Sequence, residues 1–196
     1  MGTNIGFKNI NKLAIPALIS GISEPILSIT DTAIVGNIDI NATESLAAVG
    51  IVGAFISMLI WVLGQTRSAI SSIVLSILII VSTYPFANNI FKLYNASNLI
   101  LDYGVDYYKI RVFGFPFTLF TIGVFGAFRG LQNTYYPMII AIIGALLNIV
   151  LDYILVFGIQ DYIPAMNIKG AAYASVAAQC LMAILSAYYL LKKIEL

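Results

Sequence analysis

The sequence predicts an all-α, polytopic membrane protein: a bundle of six transmembrane helices. Of its 196 residues, 60% are hydrophobic and 10% are charged, and the mean hydropathy is +0.95. These charges are too few to cover a soluble globule of this size, and the apolar residues run in stretches long enough to cross a bilayer. The formal net charge of +1, with basic residues scattered along the chain, argues against nucleic acid as a partner.

Six apolar segments of about 20 residues each are candidates for the crossings. They cover approximately residues 13–35, 46–72, 73–94, 112–130, 136–158 and 170–191, within a single transmembrane lobe that spans residues 1–196. Turn and polar residues separate most of these segments, but none divides the second from the third. Either one long bent helix runs there, or the polar loop that joins two antiparallel spans is missing. We favour the missing loop, because an uninterrupted helix would reverse the topology of everything downstream.

The distribution of basic residues predicts the orientation. With six crossings, six of the ten Lys and Arg residues fall on one side and four on the other, which places both termini in the cytoplasm by the positive-inside rule. The stretch 95–111, which contains Tyr103, Tyr107 and Tyr108, is predicted to be an amphipathic external lead-in to the fourth span. Its tyrosines are expected at the level of the lipid headgroups.

Two carboxylates lie deep inside apolar segments and are the strongest functional signal in the chain. Asp31 is about 18 residues into the first span and Asp152 about 16 into the fifth, so both reach a similar depth at a rise of about 1.5 Å per residue. Asn148 precedes Asp152 by four residues, so both side chains project from one helix face. Membrane proteins retain such groups mainly where they pair, face a cavity, or bind ions and protons.

The pattern predicts a site for a proton or a cation. Burial disfavours a charged carboxylate, and a second carboxylate nearby disfavours it further, which favours proton binding. A sodium site at Asp31, Asn148 and Asp152 stays open, because carboxylate and amide oxygens also suit a hard cation. No other cofactor is predicted. The chain has no histidine and one cysteine, Cys180, which is expected to serve helix packing, so a membrane enzyme is the weakest reading.

The first span carries a second polar feature. Pro16, with Glu24 and Pro25 in the middle of the span, predicts a helix whose backbone bonding is interrupted twice. This helix either bends to couple ion binding to opening, or holds a static kink with Glu24 facing a water-filled cavity. Aromatic residues form a further group that either lines a cavity for a drug-like compound or faces lipid and neighbouring helices: Trp61, Phe113, Phe115, Phe117, Phe120, Phe125 and Phe128.

The run G-A-F-R-G-L-Q-N-T-Y-Y-P, from Gly126 to Pro137, resembles the signature between the fourth and fifth helices of multidrug and toxic compound extrusion (MATE) transporters. The signature residues are Arg129, Gly130, Gln132, Thr134 and Pro137. Further runs look like motifs of this family, in its order: D-T-A-I-V-G at 31–36, L-A-A-V-G at 46–50, N-I-V-L-D-Y-I-L-V-F-G at 148–158 and K-G-A-A-Y-A-S at 169–175. Glu24-Pro25 before Asp31, with an aspartate at 152, is most similar to the DinF-like branch.

The resemblance implies a fold and a function. Family members have twelve helices in two lobes, so this chain resembles the N-terminal lobe, and a second six-helix lobe is the implied partner. The implied function is a secondary antiporter of the inner (plasma) membrane that exports small organic or cationic drug-like compounds in exchange for protons, or for Na⁺. Arg129 is also explained as a cytoplasmic anchor close to the bilayer.

The resemblance also implies roles for individual residues. Asp31, Asn148 and Asp152 fall on the polar residues taken to form the cation site of the family's N-terminal lobe. Ser175 stands where many members carry threonine, and Pro16 matches a proline linked to bending of the first helix.

A second hypothesis is a membrane subunit that does not transport, or a homodimeric half-transporter. In that reading the polar cluster holds helices together.

Overall fold

The computed structural model of the chain describes residues 7–64, 69–160 and 162–194. Within these ranges the side chains of residues 7–9, 23–24, 69–70, 72 and 193–194 are not described. The α-helices of the described part are α1 (Phe7–Gly21), α2 (Ser23–Val35), α3 (Ala42–Leu63), α4 (Ala69–Thr83), α5 (Ala87–Leu93), α6 (Asn98–Arg111), α7 (Phe115–Gly130), α8 (Tyr135–Phe157) and α9 (Ile168–Ile194). A short 3-10 turn, Val112–Gly114, joins α6 to α7.

Five helical runs of the described residues are long and apolar enough to cross a membrane. They are Ile10–Val35, Ala42–Leu63, Asn98–Gly130, Tyr135–Phe157 and Ile168–Lys192. A sixth span results if the pair Ile73–Thr83 and Ala87–Leu93, which is bent by 80°, is one broken crossing. The prediction of an all-α, polytopic six-helix lobe is therefore confirmed. The junction between the second and third spans, where a missing loop was predicted, includes residues 65–68 and lies outside the described residues.

The first span is interrupted at Ile22, between α1 and α2. Ile22 has φ −91° and ψ 2°, which are not helical values. Pro25 has no N–H to donate to the carbonyl of Gly21 four residues earlier, so the helix loses a hydrogen bond at this point. Pro16, in contrast, lies inside α1, and the helix continues past it. The sequence predicts two interruptions, and the chain leaves helical geometry only at the second.

The predicted position of Tyr107 and Tyr108 at the lipid headgroups is wrong. Helix α6 runs through the 3-10 turn into α7 as part of the long apolar run Asn98–Gly130. Tyr107 and Tyr108 are buried, with exposed fractions of 2% and 0%, instead of lying at the headgroup level. The reason is the packing of α6 against α3, where Gly104 faces Val52 and Ala48. The Tyr108 ring also packs against Phe91 with 5.3 Å between ring centroids.

Helices α8 and α9 pack so closely that a glycine, Gly170 of α9, is required where they meet. The loop that joins them bonds back onto the end of α8, with Met166 N–H donating to Leu155 O (2.9 Å) and Asn167 N–H to Val156 O (3.1 Å). A β-carbon on Gly170 would lie 2.5 Å from the backbone of Leu155, which cannot move away as a flexible side chain would. Small residues in membrane helices allow such approaches. This packing fixes the position of Ser175 on α9.

We predict that Gly170→Ala destabilises the lobe, because its β-carbon collides with the backbone of Leu155. Overpacking of this kind costs about 1–3 kcal/mol. The matched control is Gly126→Ala, since Gly126 is exposed in the middle of α7 with no atom within 4 Å of the added carbon. Thermal unfolding in detergent, followed by circular dichroism, measures both. Equal stability of the two variants would contradict this account of the α8–α9 contact.

Candidate functional site

Helices α2, α8 and α9 bring the four predicted cation-site residues into one buried cluster. Asp31 is on α2, Asn148 and Asp152 are on α8, and Ser175 is on α9. All four side chains are completely buried. The positions of Asp31 and Asp152 along the first and fifth spans predict a shared depth, and the two residues do lie in one cluster. The sixth span adds the hydroxyl of Ser175.

Asp31 receives several hydrogen-bond donors. The Tyr107 hydroxyl donates to Asp31 Oδ2 over 2.6 Å. Ser175 Oγ lies 2.9 Å from Oδ1 and 2.8 Å from Oδ2, so its single proton serves one oxygen at a time. Asn148 Nδ2 is 3.5 Å from Oδ1, at the limit of a hydrogen bond. Short bonds to a carboxylate favour its charged form. Asp31 is thus the carboxylate of the cluster that is supplied with donors.

Asp152 has the opposite surroundings. Neither of its carboxyl oxygens has a hydrogen-bond partner in the part of the chain that the structure describes, and the same holds for Asn148 Oδ1. Asn148 directs its amide nitrogen toward Asp31 and toward Ser175 Oγ, at 3.4 Å. Asn148 and Asp152 share one face of α8 and lie close to each other, but no well-formed hydrogen bond joins them among the described residues. Three buried acceptor atoms in this cluster are therefore left without a hydrogen-bond donor among the described residues.

These acceptors fit a proton or a hard cation. A buried carboxylate without donors is costly, and a bound proton or metal ion removes that cost. Carboxylate and amide oxygens are suitable ligands for Na⁺. Among the described residues, no group of three or more His, Cys, Asp and Glu side chains is placed so that it could hold a metal ion.

Sequence reasoning missed two residues of this site, Tyr107 and Arg111. Both lie on α6, four residues apart and so on one face of the helix. Arg111 is 6% exposed and interacts electrostatically with Tyr107 and Asp152. They were assigned to the external lead-in because charged and aromatic residues are frequent at membrane surfaces. Gly114 and Pro116 follow this stretch and interrupt the helical pattern, so the sequence carries no clear signal that α6 continues toward α7.

A cavity of about 420 Å³ lies beside the cluster. Tyr107 and Arg111 form part of its wall, and Trp61 and Pro25 also line it. Its other lining residues come from α2 and α3: Ser28, Ile29, Val49, Gly53, Ile56, Ser57 and Ile60. Of the residues predicted to bend the first span, Pro25 therefore borders this cavity, Pro16 is half-buried in α1, and the side chain of Glu24 lies outside the described residues.

The signature residues form a separate structure at the turn between α7 and α8. Arg129 Nη2 donates to Ser20 Oγ over 3.3 Å, and Thr134 Oγ1 donates to Leu13 O over 3.0 Å. Both bonds tie this turn to α1. Gly130 ends α7, Gln132 has a positive φ of 56°, and Pro137 is buried in the first turn of α8. The signature thus holds helices together away from the carboxylate cluster.

The fold and the site define an all-α, multi-pass membrane protein with ionisable groups buried between its helices. The family model described as MatE matches residues 64–154. DNA damage-inducible protein F of Escherichia coli (strain K12) is 28% identical over 190 residues, covering 85% of this chain and 40% of that protein. The probable multidrug resistance protein NorM of Thermotoga maritima is 26% identical over 215 residues, covering 96% of this chain and 45% of that protein.

Solved structures share the fold. A crystal structure of MATE in the bent conformation has a TM-score of 0.83 at 22% identity, covering 95% of this chain and 46% of that one. The MATE multidrug transporter DinF-BH in complex with R6G has a TM-score of 0.82 at 22% identity, covering 98% and 47%. The family-model match, the curated relatives and the solved structures together support a MATE-type, DinF-like chain, and MATE family members are transporters and not enzymes. It spans less than half the length of the two curated relatives described above.

We predict that Tyr107 and Asp31 are energetically coupled. A hydrogen bond to a charged group contributes about 1.5–3 kcal/mol, so Tyr107→Phe and Asp31→Asn should be non-additive by a similar amount in a double-mutant cycle of thermal unfolding. The control cycle uses Tyr103→Phe, because the Tyr103 hydroxyl accepts a bond from Asn41 and not from the cluster. If the Tyr107 cycle were as additive as the control, the described geometry of Asp31 would be wrong.

Proposed function

We propose that the chain is the N-terminal lobe of a secondary antiporter that exports small organic compounds in exchange for protons or Na⁺. The coupling cation binds at the cluster of Asp31, Asn148, Asp152 and Ser175. The observation that carries this proposal is the difference between the two buried carboxylates. Asp31 has donors for its charge, whereas Asp152 has none among the described residues.

The two aspartates have different roles in this mechanism. Asp31 stays ionised, held by Tyr107 and Ser175, and supplies a fixed negative charge. Asp152 takes up the proton, or contributes oxygens to Na⁺, because no protein donor competes for its oxygens in the described part of the chain. Arg111 offsets part of the remaining negative charge. Loading of one monovalent cation thus brings the cluster close to neutrality, which a low-dielectric site favours.

Cation binding at the cluster can affect the substrate cavity through the helices that carry the cluster residues. Asp31 lies on α2, nine residues after the break at Ile22, so a change in its bonding acts on a helix that is already interrupted. Tyr107 and Arg111 connect the cluster to the cavity of about 420 Å³ between α2, α3 and α6. A bistable helix next to a substrate cavity is what alternating access requires. The compound is bound and released, and no covalent bond changes.

The remaining parts of the proposal concern location and partners. The protein is placed in the plasma membrane, with both termini of this lobe in the cytoplasm by the positive-inside rule. A second six-helix lobe completes the cleft in which an organic substrate is held. Curated relatives support the class of substrate, since one of them is named multidrug export protein MepA, from Staphylococcus haemolyticus, 31% identical over 132 residues.

One observation favours the alternative function of a packing subunit. The bonds of Asp31 to Tyr107, Ser175 and Asn148 join α2 to α6, α8 and α9, and such bonds stabilise helix association in lipid. The donor-free oxygens of Asp152 have no role in that reading. A non-transporting homodimer or half-transporter would keep its assembly when Asp152 is changed.

We expect Asp152→Asn and Asp31→Asn each to abolish cation-coupled efflux, because the first removes the cation acceptor and the second the fixed charge. Efflux of a fluorescent organic cation from proteoliposomes under an imposed proton or sodium gradient measures this. The chain is tested alone and joined to the C-terminal half of the Escherichia coli relative. Activity only in the joined protein would show that this lobe requires a second one.

The matched control is Ser175→Thr, which keeps the hydroxyl that bonds Asp31 and should retain efflux, whereas Ser175→Ala should reduce it. Comparable expression and thermal stability of the variants exclude a folding defect. Robust coupled efflux by both aspartate variants would remove the proposed mechanism, and absence of efflux in every form would favour the packing subunit.

A further inference from the structure

The interface between α7 and α9 contains buried polar atoms that have no hydrogen-bond partner in the described part of the chain. They are Thr118 Oγ1 and Thr121 Oγ1 on α7, and Gln179 Oε1 on α9. The three side chains are at most 4% exposed. None of them belongs to the carboxylate cluster, and the proposed cation coupling does not use them.

Contacts at both ends of this interface place the three atoms between the two helices. A β-carbon on Gly114, just before α7, would collide with Gln179 Oε1, so the amide of Gln179 occupies the place of the side chain that glycine lacks. Further along, Phe125 belongs to one hydrophobic cluster with Met182 of α9. Steps of three or four residues lead from position 114 through both threonines to position 125. The threonines therefore lie on the face of α7 that contacts α9.

Threonines on other helices show the usual arrangement. Thr32 Oγ1 on α2 donates to Ser28 O over 2.7 Å. Thr83 Oγ1 on α4 donates to Ile79 O over 2.6 Å. The carbonyl four residues earlier is the common acceptor for a threonine inside a helix. The two threonines of α7 do not use it, although their hydroxyls are buried.

The three unpaired atoms form a complementary set. Each threonine hydroxyl has one proton to donate, and an amide oxygen can accept two hydrogen bonds. Because protein encloses all three atoms, only another protein group can satisfy them. An unpaired buried polar group raises the free energy of the conformation that contains it, and hydrogen bonds of this kind join membrane helices. A second arrangement of α7 and α9, in which these atoms pair, is therefore favoured.

The chain at the start of α7 allows the helix to move. Pro116 has no N–H to donate to Val112 O, which instead accepts a bond from Phe115 N–H, and the backbone tightens into the 3-10 turn. A 3-10 segment inside a helical run often marks a hinge. A cavity of about 290 Å³ lies between α1, α3, α7 and α9, which leaves room beside α7 for a shift.

We propose that α7 and α9 form a sliding interface with two arrangements, of which the structure has the unpaired one. In the other, the hydroxyls of Thr118 and Thr121 donate to Gln179 Oε1. A shift of about 6 Å, four residues at a rise of about 1.5 Å, brings Thr118 to the level that Gly114 has here. Ser175 lies one turn before Gln179 and bonds Asp31. The use of this shift in transport rests on the proposed function, whereas the shift itself does not.

Substitutions that keep the volume and remove the unpaired atoms should stabilise the arrangement described here. Thr118→Val with Thr121→Val, and separately Gln179→Met, should raise the midpoint of thermal unfolding by about 2–4 °C for each oxygen removed. The matched control is Thr134→Val, which should lower the midpoint, because this buried threonine donates to Leu13 O. A lower midpoint in the Thr118, Thr121 and Gln179 variants as well would overturn the proposal.

Spin labels measure the shift directly. Gly126→Cys on α7 and Leu191→Cys on α9 provide exposed labelling sites, in a chain whose native cysteine is removed by Cys180→Ala. Double electron–electron resonance in nanodiscs should give two distances that differ by several Å. The variant that combines Thr118→Val, Thr121→Val and Gln179→Met should give one. If that variant does not fold by circular dichroism, the threonine pair alone decides. The same distribution with and without the substitutions would overturn the proposal.

A further background separates this inference from the proposed function. Asp152→Asn places a neutral group in the carboxylate cluster, as a bound proton would. A changed ratio of the two distances in Asp152→Asn would support coupling between the cluster and the interface. An unchanged ratio, with the distribution still reduced to one distance by the threonine and glutamine substitutions, would support the sliding interface and contradict its link to cation binding.

Discussion

The burial of two carboxylates inside a membrane-embedded bundle is the constraint on which the rest of this structure depends. A charge at this depth is tolerated only with partners, and Asp31 obtains them from three other helices through Tyr107, Asn148 and Ser175. Asp152 lies in the same cluster without donors in the described part of the chain. Two chemically identical groups thus have different surroundings, and the proposed roles of a fixed charge for Asp31 and a cation acceptor for Asp152 rest on this difference.

The surrounding helices follow from that constraint. Ser175 reaches Asp31 because α9 approaches α8 closely, and Gly170 permits that approach against the Leu155 backbone. Tyr107 reaches Asp31 from α6, where its hydroxyl lies 2.6 Å from Asp31 Oδ2. The break at Ile22 places an interrupted backbone on the same helix as Asp31. Stability and the proposed coupling therefore use the same contacts, so substitutions in the cluster require stability controls before they are interpreted as transport defects.

Much of this arrangement could be predicted from the sequence, and what was missed has a physical reason. Asp31 and Asp152 stand out because carboxylates are rare in apolar segments, and the run from Gly126 to Pro137 carries the family resemblance. Tyr107 and Arg111 were placed outside because hydropathy alone draws the fourth span from residue 112. Polar residues that pair with a buried charge lower the hydropathy of the helix that carries them. Hydropathy therefore tends to miss the helix that completes a polar site inside a membrane.

The most direct test of the central claim is infrared difference spectroscopy of the purified chain on acidification, which detects the carbonyl band of a protonated carboxyl group. The account predicts a band that is absent in Asp152→Asn and retained in Asp31→Asn, because Asp152 is the carboxylate that accepts the cation. A band that is lost in Asp31→Asn and kept in Asp152→Asn would contradict the assignment of the two roles, as would the absence of any band from either aspartate.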